Sequence, residues 1–233
     1  LAHARKPASA SGWRWVWRKL RERPVWTLVE VRRLNDQGYP ASLIHLGVWA
    51  YEGAPGWLRL QRVLLPSMMT PPVQAECLRL LRTFADRLDP SYGQIGVGHA
   101  SHGNAHTTLE QCLPREGGRN APWRSIVESR QWLRGYPWVT VLAREHVARL
   151  GGIDALAGTG AFHRVDGLTG GGALLQATPD YHDYDQAAAE RVFRVLAPVL
   201  RPGLPTPPPP DRRERAPYLI VYEDAATVAG RTS

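Results

Sequence analysis

Residues 132–200 read WLRGYPWVTVLAREHVARLGGIDALAGTGAFHRVDGLTGGGALLQATPDYHDYDQAAAERVFRVLAPVL, and the fold turns on this stretch. Residues 137–142 (PWVTVL) form an apolar, β-branched run too short for a helix, which predicts a strand. A short helix follows and stops at Gly151-Gly152, because glycine readily takes the left-handed backbone that closes a helix. A second short turn carries Ile153 and Leu156. Two more β runs, at residues 162–165 and 173–177, flank the glycine-rich DGLTGGG, which reads as a hairpin turn. In residues 186–200 the positions Val192, Phe193, Val195, Leu196, Val199 and Leu200 make one apolar face of a closing helix.

Working outward, residues 25–34 and 43–51 read as strands around the turn Asn35-Asp36-Gln37-Gly38, an antiparallel pair. Pro71-Pro72 opens a helix whose Cys77, Leu80, Leu81, Phe84 and Leu88 suggest a buried stripe, and Asp89-Pro90 ends it. Residues 92–97 suit a further strand. Residues 98–118 are irregular apart from a helical turn at 108–112, and 123–132 read as helical with inward tryptophans. Strands and helices mix without strict βαβ alternation. The expectation is an α+β domain over residues 25–200, an antiparallel or mixed sheet covered mainly on one side by helices. Residues 1–24 form a basic Trp/Arg arm, and 201–233 a Pro-rich linker and tail in which Tyr218 to Tyr222 could add a last strand before the end frays.

The GYPWVTVL strand, the ARLGGIDAL helix stop, the GGGALLQAT strand and the AAAERVFRVLAPVL helix, in this order, resemble the type VI immunity family. The resemblance is best over residues 132–200 and looser from about residue 42, through LIHLGVWAYEG, AECLRLLRTFADRL and YGQIGVG. It implies a bacterial protein that neutralises a toxin made by the same genome through a protein–protein interface. It supplies no catalytic residue and no cofactor.

Composition sets bounds around that expectation. With 233 residues, 43% of them hydrophobic and 21% charged, the chain can bury a sizeable core without disulfides or metals. Its two cysteines, Cys77 and Cys112, read as reduced thiols, Cys77 on the buried helix face. No run is long and apolar enough for a membrane span, and no apolar leader stands at the N-terminus, so a cytoplasmic protein is expected. The formal net charge is +8, but residues 1–33 hold nine basic and two acidic side chains, so the remainder is nearly neutral. A strongly basic chain suggests nucleic acid; here that suggestion belongs to the arm.

Three constellations carry possible chemistry. His99, His102 and His106 in GHASHGNAH could ligate zinc for a metal-dependent hydrolase, with His182 or Asp183 completing the set. Their spacing matches no strong motif, and a polar loop is the plainer reading. The loop TPDYHDYD presents Asp180, Tyr181, Asp183 and Tyr184, either as a helix-capping loop or, tyrosine being enriched at interfaces, as a partner contact. In the arm, Arg14, Arg18, Lys19, Arg21 and Arg23 alternate with tryptophans; they suit polyanion contact, a membrane surface, or a helix packing its tryptophans inward. The leading expectation is therefore a non-enzymatic immunity protein. A subunit of a larger defence or secretion assembly, a nucleic-acid-binding accessory protein and a hydrolase stand as alternatives.

Overall fold

A computed structural model describes residues 11, 14, 15, 18, 26–34, 40–51, 54–64, 66–96, 107–114, 122–207 and 219–230, with backbone alone within 26–66 and for 122–124. The chain divides into two compact units, Leu1–Met68 and Met69–Ser233. The first holds an antiparallel meander of β1 (Trp26–Leu34), β2 (Pro40–Tyr51) and β3 (Ala54–Leu64). Trp26 pairs with Trp49 and Leu34 with Pro40, so the expected pair forms. The third strand is additional to the expected pair. In sequence Arg62 interrupts the alternate apolar positions Leu58, Leu60 and Leu64, which breaks the period-two signal.

The second unit is built on a four-stranded antiparallel sheet in the order β4-β5-β7-β6, from β4 (Tyr92–Ile95), β5 (Val139–Leu142), β6 (Arg164–Gly167) and β7 (Ala173–Gln176). The central strands β5 and β7 are buried along their whole length. β6 and β7 form the hairpin read from DGLTGGG, with the Leu168 amide donating to the Gly172 carbonyl at 2.9 Å. Between the strands lie α1 (Pro71–Leu88), α2 (Thr108–Cys112), α3 (Pro122–Val127), α4 (Arg144–Arg149) and α5 (Ile153–Gly158); α6 (Gln186–Leu196) and α7 (Ala225–Val228) follow. α4 ends as its glycines dictate. The Gly152 amide donates to the Val147 carbonyl at 2.9 Å and the Gly151 amide to the Ala148 carbonyl at 3.3 Å, with Gly151 at φ 86°. These paired bonds from left-handed backbone satisfy carbonyls that a simple helix end leaves open.

The main core lies on the sheet face of Leu142, Ala173 and Leu175, against Val192, Phe193 and Leu196 of α6. Each of these leucine, valine and phenylalanine side chains contributes about 1.5–3 kcal/mol when fully buried. Asp185 caps α6, its carboxylate accepting from the Ala188 amide at 2.8 Å. The opposite face is not left open. A Cβ on Gly93 would stand 3.1 Å from Val141 and 3.2 Å from Leu81 Cδ1, so glycine here lets α1 approach the sheet closely. Arg82 of α1 reaches Asp166 of β6 at 3.0 Å. Helix α1 therefore packs on the face opposite the main core.

Two further expectations are corrected. The buried side of α1 centres on Gln74, Leu81 and Ala85, while Phe84 is 42% and Leu88 66% exposed, and Cys77 is only half-buried. The stripe chosen for its apolar content was rotated away from the true face, because that face includes a glutamine. Residues 219–222 form no strand. Ile220 and Val221 instead fill the core as irregular chain, and α7 stands where fraying was expected. The described start of the Pro-rich segment is anchored, with the Thr206 amide on the Cys112 carbonyl at 2.7 Å and Pro205 buried.

Candidate functional site

The loop of residues 178–185 is braced from β7, from α1 and from the entry to β5. Trp138, 1% exposed, donates its indole N–H to the Thr178 carbonyl at 2.9 Å. Gln176 donates to the carbonyls of Thr178 and Pro179, both at 3.0 Å. From α1, buried Gln74 donates to the Met69 carbonyl at 2.8 Å and to Asp180 Oδ1 at 3.1 Å, and accepts from the Tyr181 amide at 3.0 Å. Asp180 also accepts from the His182 amide at 2.8 Å, capping the 3-10 turn Tyr181–Asp183. These two bonds, the amide first and Gln74 second, hold the Asp180 carboxyl below its usual range.

This loop forms one wall of a cleft of about 200 Å³. Tyr181, His182 and Tyr184 face Gln94 and Gly96 at the end of β4, Thr108 and Leu109 of α2, and Leu219 and Ile220; Tyr136, Pro137 and Trp138 also line it. The Tyr181 ring stands edge-on to Trp138, centroids 5.6 Å apart at 83°, and to His182 at 5.2 Å and 79°. Two tyrosine hydroxyls are committed to holding the wall. Tyr184 donates to the Tyr136 carbonyl, and the Tyr136 hydroxyl accepts from the Val221 amide at 2.9 Å. Burial pushes Tyr136 and Tyr184 above the ordinary phenol range, so both stay neutral. The cleft offers a ligand ring faces, an imidazole and polar groups on a rigid support, an arrangement suited to non-covalent recognition.

Behind the cleft lies an ion pair buried on both sides. Arg134 meets Glu110 with two contacts of 2.8 Å, their side chains 11% and 8% exposed. Glu110 also accepts from the Thr107 amide at 2.7 Å, completing the capping box of α2. The Arg134 guanidinium lies 5.6 Å from the Tyr92 ring centroid. This pair fixes α2 against residues 134–136 and so sets the cleft's far wall.

The candidates read from sequence fare differently. Tyr181 and Tyr184 line the cleft, whereas Asp180 and Asp183 stand beside them on the same loop, Asp180 as a brace and Asp183 exposed. His99, His102 and His106 lie outside the described residues, as do Lys19, Arg21 and Arg23. Their proposed companion His182 has Nε2 3.2 Å from the Met69 carbonyl. Among the described residues, no group of three or more His, Cys, Asp or Glu is placed to hold a metal ion, and no helix is long and apolar enough to cross a membrane. Arg14 and Arg18 are helical and exposed, with Trp15 half-buried.

Sequence reasoning passed over His146. It is 0% exposed, and neither ring nitrogen has a hydrogen-bond partner among the described residues. Burial first, then the nearby Arg149 charge, pushes its pKa down to about 4. It sits on α4, on the side of the short helix that sequence cannot distinguish from its neighbours. No protein-family model matches this chain, and no curated protein or solved structure matches it.

Proposed function

We propose that the chain is a non-enzymatic immunity protein that binds a cognate bacterial toxin and neutralises it through a protein–protein interface. The observation that carries this reading is the braced aromatic cleft. Its loop is pinned by Gln74, Gln176 and Trp138, so its ring surfaces are ordered before a partner arrives. A pre-ordered surface loses little conformational freedom on binding, and Tyr and Trp are the side chains that most often anchor interfaces. The order of elements in residues 132–200, resembling the type VI immunity family, points the same way. Under this reading the protein acts in the cytoplasm of the cell it protects and needs no cofactor.

The test is co-expression with toxic products of adjacent genes in a sensitive host. Restored growth and a stoichiometric complex are expected, with protection weakened by Tyr181→Ala and Asp183→Lys. If no neighbouring product is toxic alone and silenced by this chain, the reading fails. A second reading rests on Arg14 and Arg18, four positions apart in sequence and both helical and exposed. These suit phosphate contacts, and a steep salt dependence of RNA or DNA binding, lost on deleting residues 1–23, would favour a nucleic-acid-binding accessory role.

A further inference from the structure

We infer that the cleft receives one aromatic or branched aliphatic side chain from a basic segment of the partner protein, whose flanking Lys or Arg residues face Asp180 and Asp183. This rests on the toxin-binding reading for the statement that the occupant belongs to a protein. Three features argue for it: size, lining and charge.

The cleft's volume of about 200 Å³ suits a single ring or branched chain. A cavity of roughly 150 Å³ is enough to take benzene. Among the described residues its lining contains rings and aliphatic groups and no Lys, Arg, Asp or Glu. Trp138 and Tyr136 are 1% and 3% exposed, so an entering side chain meets surfaces already packed from behind. The edge-on setting of Tyr181 against Trp138 leaves the geometry in which a third ring packs edge to face.

The rim is acidic. Residues 180–185 (DYHDYD) hold three carboxylates, on a chain of formal net charge +8. Asp185 is occupied in capping α6, and Asp180 is half-buried and braced by Gln74 and the His182 amide. Asp183 is exposed, and its carboxylate makes no ion pair or hydrogen bond among the described residues. A nucleic acid entering this cleft would set its phosphates against these carboxylates. A basic peptide segment meets the opposite sign at this mouth, and rim charges of this kind choose partners more than they add affinity.

The experiment uses the full chain labelled with nitrogen-15 and follows the Trp138 indole resonance. The probes are acetyl-Arg-Phe-Arg-amide, acetyl-Arg-Ala-Arg-amide, acetyl-Asp-Phe-Asp-amide, neutral N-acetyl-phenylalaninamide and adenosine monophosphate. The Arg-Phe-Arg probe is expected to shift the indole. Replacing Phe by Ala should weaken binding at least about tenfold, because the burial of a ring is lost. Asp183→Lys should weaken the Arg-Phe-Arg probe by about threefold to tenfold and leave the neutral probe unchanged, since only rim charge is altered. Because Asp183 braces nothing, this variant reads charge and not folding.

Equal binding of the Asp-flanked probe, equal binding of the Ala probe, preference for the nucleotide, or shifts that bypass Trp138 would each overturn the inference. The growth-protection assay is separate. A chain that silences a toxin yet shows no preference for the basic aromatic probe keeps the immunity reading and loses this one. A chain that prefers the probe but protects against nothing does the reverse.

Discussion

Acidification should destabilise the fold through His146, and the size of the effect follows from its surroundings. The imidazole is 0% exposed and its ring nitrogens find no partner among the described residues. Its pKa is pushed down to about 4 by burial and then by Arg149 and, more weakly, Arg130; Glu145 partly opposes them. In the unfolded chain the same group takes up a proton near pH 6.5. The folded state therefore resists a proton that the unfolded state accepts. The contribution is fully present above about pH 6.5 and is lost as pH falls towards 4. A separation of roughly 2.5 pKa units corresponds to about 3 kcal/mol in all, of which about 2 kcal/mol is lost between pH 7 and pH 5.

The assay is urea unfolding of the wild type and His146→Leu at both pH values, followed by tryptophan fluorescence. Leucine is close in volume and removes both unpartnered nitrogens. At pH 7 the variant should therefore match or exceed the wild type, since replacing an unsatisfied polar group with an apolar one is nearly neutral or stabilising. Between pH 7 and pH 5 the wild type should lose about 2 kcal/mol more than the variant. Parallel pH curves would refute the reasoning. So would a loss of several kcal/mol in the variant at pH 7, which would mean that the imidazole makes an essential polar contact.

Other perturbations test the supports of the cleft. Arg134→Met strands Glu110 at 8% side-chain exposure and should cost about 3–5 kcal/mol in thermal or urea unfolding, with Glu110→Gln in the same chain recovering much of it; no recovery in the double variant would rule out an uncompensated charge as the cause. Gln74→Leu removes three hydrogen bonds to Met69, Asp180 and Tyr181. It should speed hydrogen exchange at the Tyr181 and His182 amides while the β5 and β7 amides stay protected, and unchanged exchange would mean the loop is held by other means. Gly172→Ala places a Cβ 2.4 Å from the Leu142 carbonyl oxygen and should destabilise the β6–β7 hairpin by more than Gly152→Ala, where φ is 93° but nothing lies within 4 Å. The second change should cost only the roughly 1–3 kcal/mol of backbone strain, and a reversed order in melting temperature would contradict the close approach of the two strands.

Residues 132–200 were legible because each element there announces itself locally. β5 and β7 are apolar on both faces, which marks central strands, and Gly151-Gly152 closes α4 by backbone freedom alone. The helix-capping reading of TPDYHDYD holds for its last residue, Asp185, which caps α6. The errors share a cause. Choosing the side of α1 by its apolar content pointed to Phe84 and Leu88, which are exposed, because the true inward face carries Gln74. A buried glutamine is acceptable only where its amide is fully engaged, and its partners Asp180 and Tyr181 lie more than a hundred residues further along the chain. YLIVY has the composition of a strand, but burial was supplied by the core and not by a neighbouring strand, so the same residues pack as irregular chain.

The same distinction separates the legible part of the site from the hidden part. Tyrosines and aspartates in residues 178–185 could be named from composition, since such residues suit both caps and contacts. Their division of labour could not. Asp180 and Asp183 look alike in sequence, yet Asp180 is bonded to Gln74 and the His182 amide whereas Asp183 is exposed. Which carboxylate braces and which is open to a partner depends on α1, on Trp138 of the strand entry and on Gln176 of β7, three segments that converge only in the folded chain. A substitution at Asp180 therefore changes loop order and rim charge together, while one at Asp183 changes charge alone. That asymmetry is why Asp183, and not the better-bonded Asp180, is the position at which the cleft's preference for a basic partner can be read without disturbing the wall that forms it.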